Sequence, residues 1–235
     1  IHETGRDVAS SVEFGTGTVV YGGDIHLDGN TLSLEGAHFL GIDRMKMSSS
    51  CSIDDCVIRQ RFSKSSLPVI IPAVVFETGV VSIQNTPIEY EDIGIYVSGS
   101  STIADIGPYV WLRNRTGYGL GHGTGNGIAI ECRDLAQVEV NMMAVDTHFD
   151  EFQSGNESNG PGVGIDVAGG ATVKVRHSQF RNILSIGVKV AANAGAIDLG
   201  TSAQDLGENN FTSKLNLCGY LVPPDCWVIP SFEVN

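Results

Sequence analysis

The most polar stretch of the chain is Asp146-Thr-His-Phe-Asp-Glu151, and its acidic side chains are spaced for two kinds of chemistry. The carboxylates of Asp146, Asp150 and Glu151 are oxygen ligands of the kind that Ca²⁺ binds. Two carboxylates that face one sugar also supply the acid and the base of glycoside hydrolysis. The run lacks the Asp-x-Asp-x-Asp-Gly pattern of a calcium-binding loop, so a solvated turn is the competing interpretation.

Basic side chains follow about one repeat later and extend the candidate site. A Lys, Arg or His beside carboxylates can neutralise a uronate and abstract its α-proton. The candidate catalytic residues are Asp146, Asp150, Arg176 and His177, and the candidate ligand-binding residues are His148, Glu151 and Arg181. His177 also stands at the position where other repeats have Asp55, Asn85, Asn114 and Asp146, which favours a column of turn residues over catalysis.

A recurring six-residue pattern indicates the elements that must position these side chains. It runs as an aliphatic residue, two polar or small residues, a small residue or Asn, a variable residue and an apolar residue. Copies start at Ile53, Ile83, Leu112, Ala144, Val175 and Leu206, with an early copy at Leu34. Starts from residue 53 onwards lie 29 to 32 residues apart. A fixed period of this size is typical of a solenoid.

Two further patterns recur with the hexad and have the period of β-strands. The first is glycine followed by a short strand, at Gly94-Ile-Tyr-Val97, Gly127-Ile-Ala-Ile130, Gly164-Ile-Asp-Val167 and Gly187-Val-Lys-Val190. The second occurs at Val138-Glu-Val140, Val173-Lys-Val175 and Ile197-Asp-Leu199. Alternate aliphatic residues indicate strands with one face inside. The later coils are therefore predicted to hold three short strands each.

Charged residues at outward positions of these strands are predicted to pair between coils. Glu139, Lys174 and Asp198 occupy the middle of one strand in successive coils, and Asp166 precedes Lys189 in another. Opposite charges stacked in this way contribute about 0.2–1 kcal/mol per pair. We interpret these five residues as structural.

The patterns together predict an all-β, single-domain, right-handed parallel β-helix of about seven coils. It spans residues 1–215, with the first ~50 residues irregular or serving as an N-terminal cap. The apolar, Pro- and Cys-containing segment 216–235 is predicted to be a C-terminal cap. A β-sandwich is the alternative, because antiparallel strands alternate in the same way. Helical repeats are excluded, because they need long segments with a 3.6-residue period.

Charge and hydropathy restrict the partners. Fourteen Lys and Arg against 27 Asp and Glu give a formal charge of -13. Such a field repels nucleic acid and anionic lipid, so neither is expected as a partner. No apolar run approaches ~18 residues, so no membrane-spanning helix is predicted. Calcium is the one cofactor compatible with this surface, and simple solubility is the alternative reason for its acidity.

The chain has five cysteines, an odd number. Their pairing stays open among Cys51, Cys56, Cys132, Cys218 and Cys226. A Cys218–Cys226 bridge has the best spacing, because the two residues flank a Pro-Pro turn. No spacing matches a zinc site.

The closing repeats resemble a known group of proteins. The segments Gly187-Val-Lys-Val190, Ala196-Ile-Asp-Leu-Gly-Thr201 and Gly207-Glu-Asn-Asn-Phe211 are similar to the last coils of secreted bacterial parallel β-helix repeat proteins with the pectin-lyase-like fold. The resemblance is clearest over about residues 127–212. It implies a secreted or cell-surface location and a polysaccharide partner. No catalytic motif of the group matches residue for residue, so no catalytic residue is carried over.

Two functions follow from different classes. The first is a binding module that engages polysaccharide or serves as a structural rod, either as a homo-oligomer or within a larger parent chain. The second is a polysaccharide lyase or glycoside hydrolase acting on an acidic glycan. The small number of coils favours the first, because the group's enzymes are longer.

Overall fold

The structure is a computed structural model that describes residues 2–3, 11–28, 31–61, 70–114, 127–147, 163–181, 186–200 and 207–211. Within these ranges every regular element is a β-strand. No helix in the same ranges has the length and apolar character needed to cross a membrane. The predicted all-β class is therefore confirmed.

In the described ranges, 24 strands form three sheets of eight strands each. Sheet A contains β1 (His2–Glu3), β4 (Asp24–Leu27), β7 (Arg44–Met47), β10 (Pro72–Phe76), β13 (Ile93–Val97), β16 (Ile128–Cys132), β19 (Val163–Val167) and β22 (Ile186–Val190). Sheet B contains β2 (Ser11–Phe14), β5 (Thr31–Glu35), β8 (Cys51–Asp54), β11 (Gly79–Gln84), β14 (Thr102–Ile106), β17 (Gln137–Asn141), β20 (Thr172–Arg176) and β23 (Ile197–Asp198). Sheet C contains β3 (Val19–Tyr21), β6 (His38–Ile42), β9 (Val57–Gln60), β12 (Pro87–Tyr90), β15 (Trp111–Asn114), β18 (Ala144–Thr147), β21 (Gln179–Arg181) and β24 (Asn210–Phe211).

The order of the strands makes a parallel β-helix. Each strand pairs in parallel with the strands three places before and after it, so the chain visits sheets A, B and C once per coil. A β-sandwich would need antiparallel pairs, and every pair among the described strands is parallel. Strands β1 to β7, which lie within the first ~50 residues, belong to the three sheets. The predicted C-terminal cap over 216–235 lies outside the described residues.

Stacked aliphatic side chains fill the interior of the coils. Ile53, Ile83, Ile106, Val140 and Val175 are register partners in successive coils of sheet B, and all five are fully buried. Full burial of one such side chain contributes about 1.5–3 kcal/mol. The period-2 alternation of the sequence thus becomes an inner aliphatic column and an outer polar column.

Register pairing corrects two of the predicted repeats. The counterparts of Ile53 and Ile83 are Ile106 and Val140, not Leu112 and Ala144, which lie in sheet C. Counting residues misplaced them because the coils differ in length. One coil advances 19 positions, from residue 32 to 51, and another advances 35, from residue 138 to 173.

Glycine is needed where sheet A approaches aromatic side chains of sheet C. A Cβ on Gly164 would overlap the carbonyl of Gly187 and lie 3.0 Å from the Phe180 ring. A Cβ on Gly94 would lie 3.2 Å from the ring of Tyr90. In the coil between them, the residue in register with Gly94 and Gly164 is Ala129. The predicted copy of the glycine-and-strand pattern that starts at Gly127 is therefore two positions out of register.

Most corners between sheets B and C are two-residue turns whose first residue has a left-handed conformation. The residues are Gly36 (φ 61°), Asp55 (51°), Asn85 (48°), Met142 (50°) and His177 (51°). Asn and Asp tolerate this region better than other non-glycine residues, which explains their recurrence there. The predicted column of turn residues is therefore right for Asp55, Asn85 and His177 and wrong for Asn114 and Asp146, which lie in strands β15 and β18 of sheet C.

The corners between sheets C and A vary most in length. Asp43 alone connects β6 to β7, and residues 91–92 connect β12 to β13. Residues 61–71, 115–127 and 148–162 make the same connection in other coils. The predicted acidic segment enters the last of these connections directly after β18.

Candidate functional site

A ladder of residues of alternating charge type occupies one register position along sheet C. Arg59, Glu89, Arg113, Asp146 and Arg181 occupy one register position in five successive coils. The Glu89 carboxylate lies 3.5 Å from Arg59 Nε and 3.8 Å from Arg113 Nη1. Each acid thus has a basic residue on both neighbouring coils.

This ladder contains two of the residues predicted to do chemistry. Asp146 and Arg181 are brought together as register partners on adjacent coils. Asp150, His148 and Glu151 lie outside the described residues. In the part of the chain that is described, no group of three His, Cys, Asp or Glu residues could hold a metal. The calcium site and the acid pair therefore stay predictions.

Arg176 and His177 lie at the end of sheet B and in the following turn, and each has a partner in the next coil. The Arg176 guanidinium is buried; Nη2 donates to Asp198 Oδ2 at 2.7 Å, and Nη1 donates to the Asp198 carbonyl at 3.1 Å. The hydrogen bond from Arg176, together with one from the Gly200 amide, holds the pKa of Asp198 below its ordinary value. His177 Nδ1 lies 3.0 Å from Glu208 Oε2 at the surface. These contacts join coils, and the catalytic role of the two residues stays a prediction.

An ionic cluster on the outer face of sheet A contains the most buried acid described. Arg133 Nη2 lies 2.6 Å from Glu131 Oε1 and 3.1 Å from Asp166 Oδ2. Lys189 Nζ lies 3.2 Å from the same Asp166 oxygen, which confirms the predicted pairing of these two residues. Arg133 Nη1 also donates to the Asp166 carbonyl at 3.1 Å. The cluster ties three successive coils together.

The shielding of this cluster limits its chemistry. Burial raises the pKa of Glu131, and the neighbouring Arg133 opposes that rise. Two carboxylates that flank one sugar are the arrangement that glycosidases use. The Asp166 side chain is only 5% exposed and the Glu131 side chain 14%. A sugar cannot reach Asp166 in this arrangement, so the contacts are those of a structural ion cluster.

The predicted outward ladder of sheet B is also present. Lys174 Nζ lies 3.0 Å from Glu139 Oε1, and Lys174 is the register partner of both Glu139 and Asp198. The predicted pairing of Glu139 with Lys174 is therefore confirmed, whereas the Asp198 carboxylate forms its ion pair with Arg176.

One corner between sheets B and C differs from its neighbours and exposes aromatic rings. Residues 107–110 replace the two-residue turns found at 85–86 and 142–143. Tyr109 in this turn is 65% exposed, and Trp111 at the start of β15 is 40% exposed. Val110 between them is fully buried, whereas both rings are exposed to solvent.

Trp111 has short neighbours and one charged contact. Its register partners on the adjacent coils, Pro87 and Ala144, are both short residues. The guanidinium carbon of Arg113, two residues along the strand, lies 4.9 Å from the centre of the Trp111 ring. A cation over an indole face stabilises the ring position by about 0.5–1 kcal/mol at an exposed site.

Comparisons of the chain with known protein families, with curated proteins and with solved structures find no match.

Sequence reasoning missed Tyr109 and Trp111 as surface features. One signal in the sequence pointed to an unusual turn at this place. The dipeptide Gly107-Pro108, which is typical of turns, comes just before the hexad at Leu112, and that hexad lacks its closing apolar residue.

Proposed function

We propose that this protein is an extracellular, non-catalytic polysaccharide-binding module built on a β-helix. The observation that carries the proposal is the exposure of Tyr109 and Trp111 in the middle of the solenoid, where Phe76 and Tyr90 of nearby strands are fully buried. Exposed aromatic rings pack against the apolar faces of sugars, and rigid scaffolds are common supports for such sites.

The pairing of the acids supports binding over catalysis. Glu89 lies between two arginines, and Asp166 lies between Arg133 and Lys189. A general acid or base must come within hydrogen-bonding reach of the substrate. Among the described residues, these carboxylates have their cations already in place and are largely shielded from solvent.

We further propose membership of the pectin-lyase-like group and a secreted or cell-surface location. The three parallel sheets support this assignment, as does the resemblance of the closing coils. The proposed partner is a polysaccharide, with assembly as a homo-oligomer or within a larger parent chain.

A polysaccharide lyase or glycoside hydrolase acting on an acidic glycan is the second candidate. One observation favours it, the raised pKa of Glu131 beside a second carboxylate on the next coil. Catalysis at this pair would require the ion cluster around Asp166 to open.

A panel of neutral and acidic polysaccharides, tested for binding and for cleavage, separates the two. We expect retarded migration in affinity gels that contain a bound glycan, with no new reducing ends and no ultraviolet-absorbing unsaturated product, with or without Ca²⁺. Cleavage that is lost in Glu131→Gln would replace the binding proposal with the enzymatic one. Absence of both binding and cleavage would overturn both.

A further inference from the structure

We infer that Tyr109 and Trp111 form a platform that binds the apolar faces of uncharged pyranose rings. The inference rests on the proposed polysaccharide binding and adds a site and a ligand chemistry to it. Three properties of the corner carry it: its rigid backbone, its two exposed rings and its balanced charge.

The backbone of the widened turn is held on both sides by neighbouring coils. The amide of Asn85 donates to the Pro108 carbonyl at 2.9 Å, and the amide of Tyr109 donates to the Met142 carbonyl at 3.0 Å. A Cβ on Gly107 would overlap the carbonyl of Asn141, so the turn lies directly against the next coil. The exposed rings therefore stand on a fixed base, and binding costs little ordering of the backbone.

The two rings are both exposed within three residues of the chain. Tyr109 lies in the widened turn, Trp111 begins β15, and Val110 between them is fully buried. Tyr109 has φ 60°, so its side chain leaves the turn at a different angle from that of Trp111. Met142, exposed in the adjacent coil, extends the apolar surface beside Tyr109.

The charges around the platform are balanced, which selects an uncharged glycan. The guanidinium of Arg113 contacts the Trp111 ring and lies 3.8 Å from Glu89. Its other register partner, Asp146, is acidic as well. The formal charge of -13 over the whole chain also opposes a polyanion. We assign Arg113 the part of a positioning residue that orients the Trp111 ring.

The test measures binding of cellohexaose, xylohexaose and polygalacturonate by affinity gel and calorimetry. We expect at least one neutral hexasaccharide to bind, and we expect Tyr109→Ala and Trp111→Ala each to weaken it about tenfold or more. Tyr21→Ala removes an equally exposed tyrosine from the first coil and should bind as the wild type does. Arg113→Met, which breaks the contact with the ring, should weaken binding less than Trp111→Ala.

A second measurement keeps the test independent of how well these variants fold. Trp227→Phe leaves Trp111 as the one tryptophan in the chain. Its emission should shift to shorter wavelength when the bound hexasaccharide is added, because the ring loses water.

Each contrary result is distinguishable. Folded platform variants that bind like the wild type would overturn the site while leaving polysaccharide binding in place. An unchanged Trp111 emission at saturating glycan would do the same. Binding of polygalacturonate alone would overturn the uncharged ligand, and binding of none of the three probes would overturn the inference altogether.

Discussion

Replacing Arg133 with methionine is the sharpest test of how the coils are held together. Arg133 contacts Glu131 and Asp166 through one nitrogen and the Asp166 carbonyl through another. Methionine keeps the length and apolar contacts of the side chain but removes all of these contacts. The buried Asp166 carboxylate would then have Lys189 as its remaining cation.

The expected cost follows from the burial of that carboxylate. Breaking a buried ion pair by removing one partner costs 3–5 kcal/mol, and the surviving contact with Lys189 places this case near the lower end, at about 3 kcal/mol. For a chain of this size that corresponds to a fall in melting temperature of roughly 6–12 °C. Arg133→Met/Asp166→Asn should recover at least half of the loss, because an amide needs no counterion.

Urea unfolding followed by circular dichroism measures the change in free energy. The matched control is Arg44→Met, which removes an arginine from a partly exposed pair with Asp24 and should cost less than about 1 kcal/mol. If Arg133→Met costs no more than Arg44→Met, the cluster does not hold the coils together. If the double variant is less stable than the single one, the unpaired carboxylate is not the source of the loss.

Three further predictions concern packing, pH and thiol chemistry. Gly164→Ala should lower the free energy of unfolding by about 1–3 kcal/mol, because its Cβ would overlap a carbonyl of the next coil; Ala129→Gly at the equivalent position should cost less than about 1 kcal/mol. The hydrogen bond from Arg176 lowers the pKa of Asp198, so the ionised carboxylate stabilises the folded protein at neutral pH, and this stability is lost on acidification. Asp198→Asn should therefore lower the free energy of unfolding modestly at pH ~7. At pH well below 3.8 the variant and the wild type should have the same free energy of unfolding. The Cys132 thiol, whose pKa burial raises, should resist alkylation in the folded protein and react after unfolding.

Each of these has a clear contrary outcome. Equal costs for the Gly164 and Ala129 variants in urea unfolding would show that the two coils do not approach as closely as described. A pH–stability profile of Asp198→Asn that runs parallel to the wild type down to the acid limb would remove the proposed linkage. Peptide mass spectrometry that finds Cys132 alkylated as fast in the native protein as in urea would contradict its burial.

The fold was predictable because its strands obey a short and strict alternation. Ile165 and Val167 point inward and Asp166 outward, and the same rule correctly paired Asp166 with Lys189. The lengths of the coils were not predictable, because connections between strands lie outside the stacked core and tolerate change. This is why Leu112 and Ala144 were assigned to the wrong sheet.

Surface features were predictable where they follow the repeat and not where a single turn changes length. The column of Glu139, Lys174 and Asp198 followed from sequence, because a regular period puts outward residues one above another. The exposure of Tyr109 depends on a turn that two added residues widen relative to the turns of the neighbouring coils, and no repeat-based rule anticipates such an insertion. The catalytic and calcium assignments built on Asp150 and Glu151 stay predictions.

The uneven connection between sheets C and A makes this solenoid a scaffold for engineered loops. One residue, Asp43, suffices there in one coil, while residues 148–162 make the same crossing in another, and the strands on either side keep their register. Lengthening a flexible loop costs only about 0.6 kcal/mol per doubling of its length. Foreign peptides grafted at residues 91–92 would therefore be displayed at a corner that already accommodates length variation in its neighbouring coils.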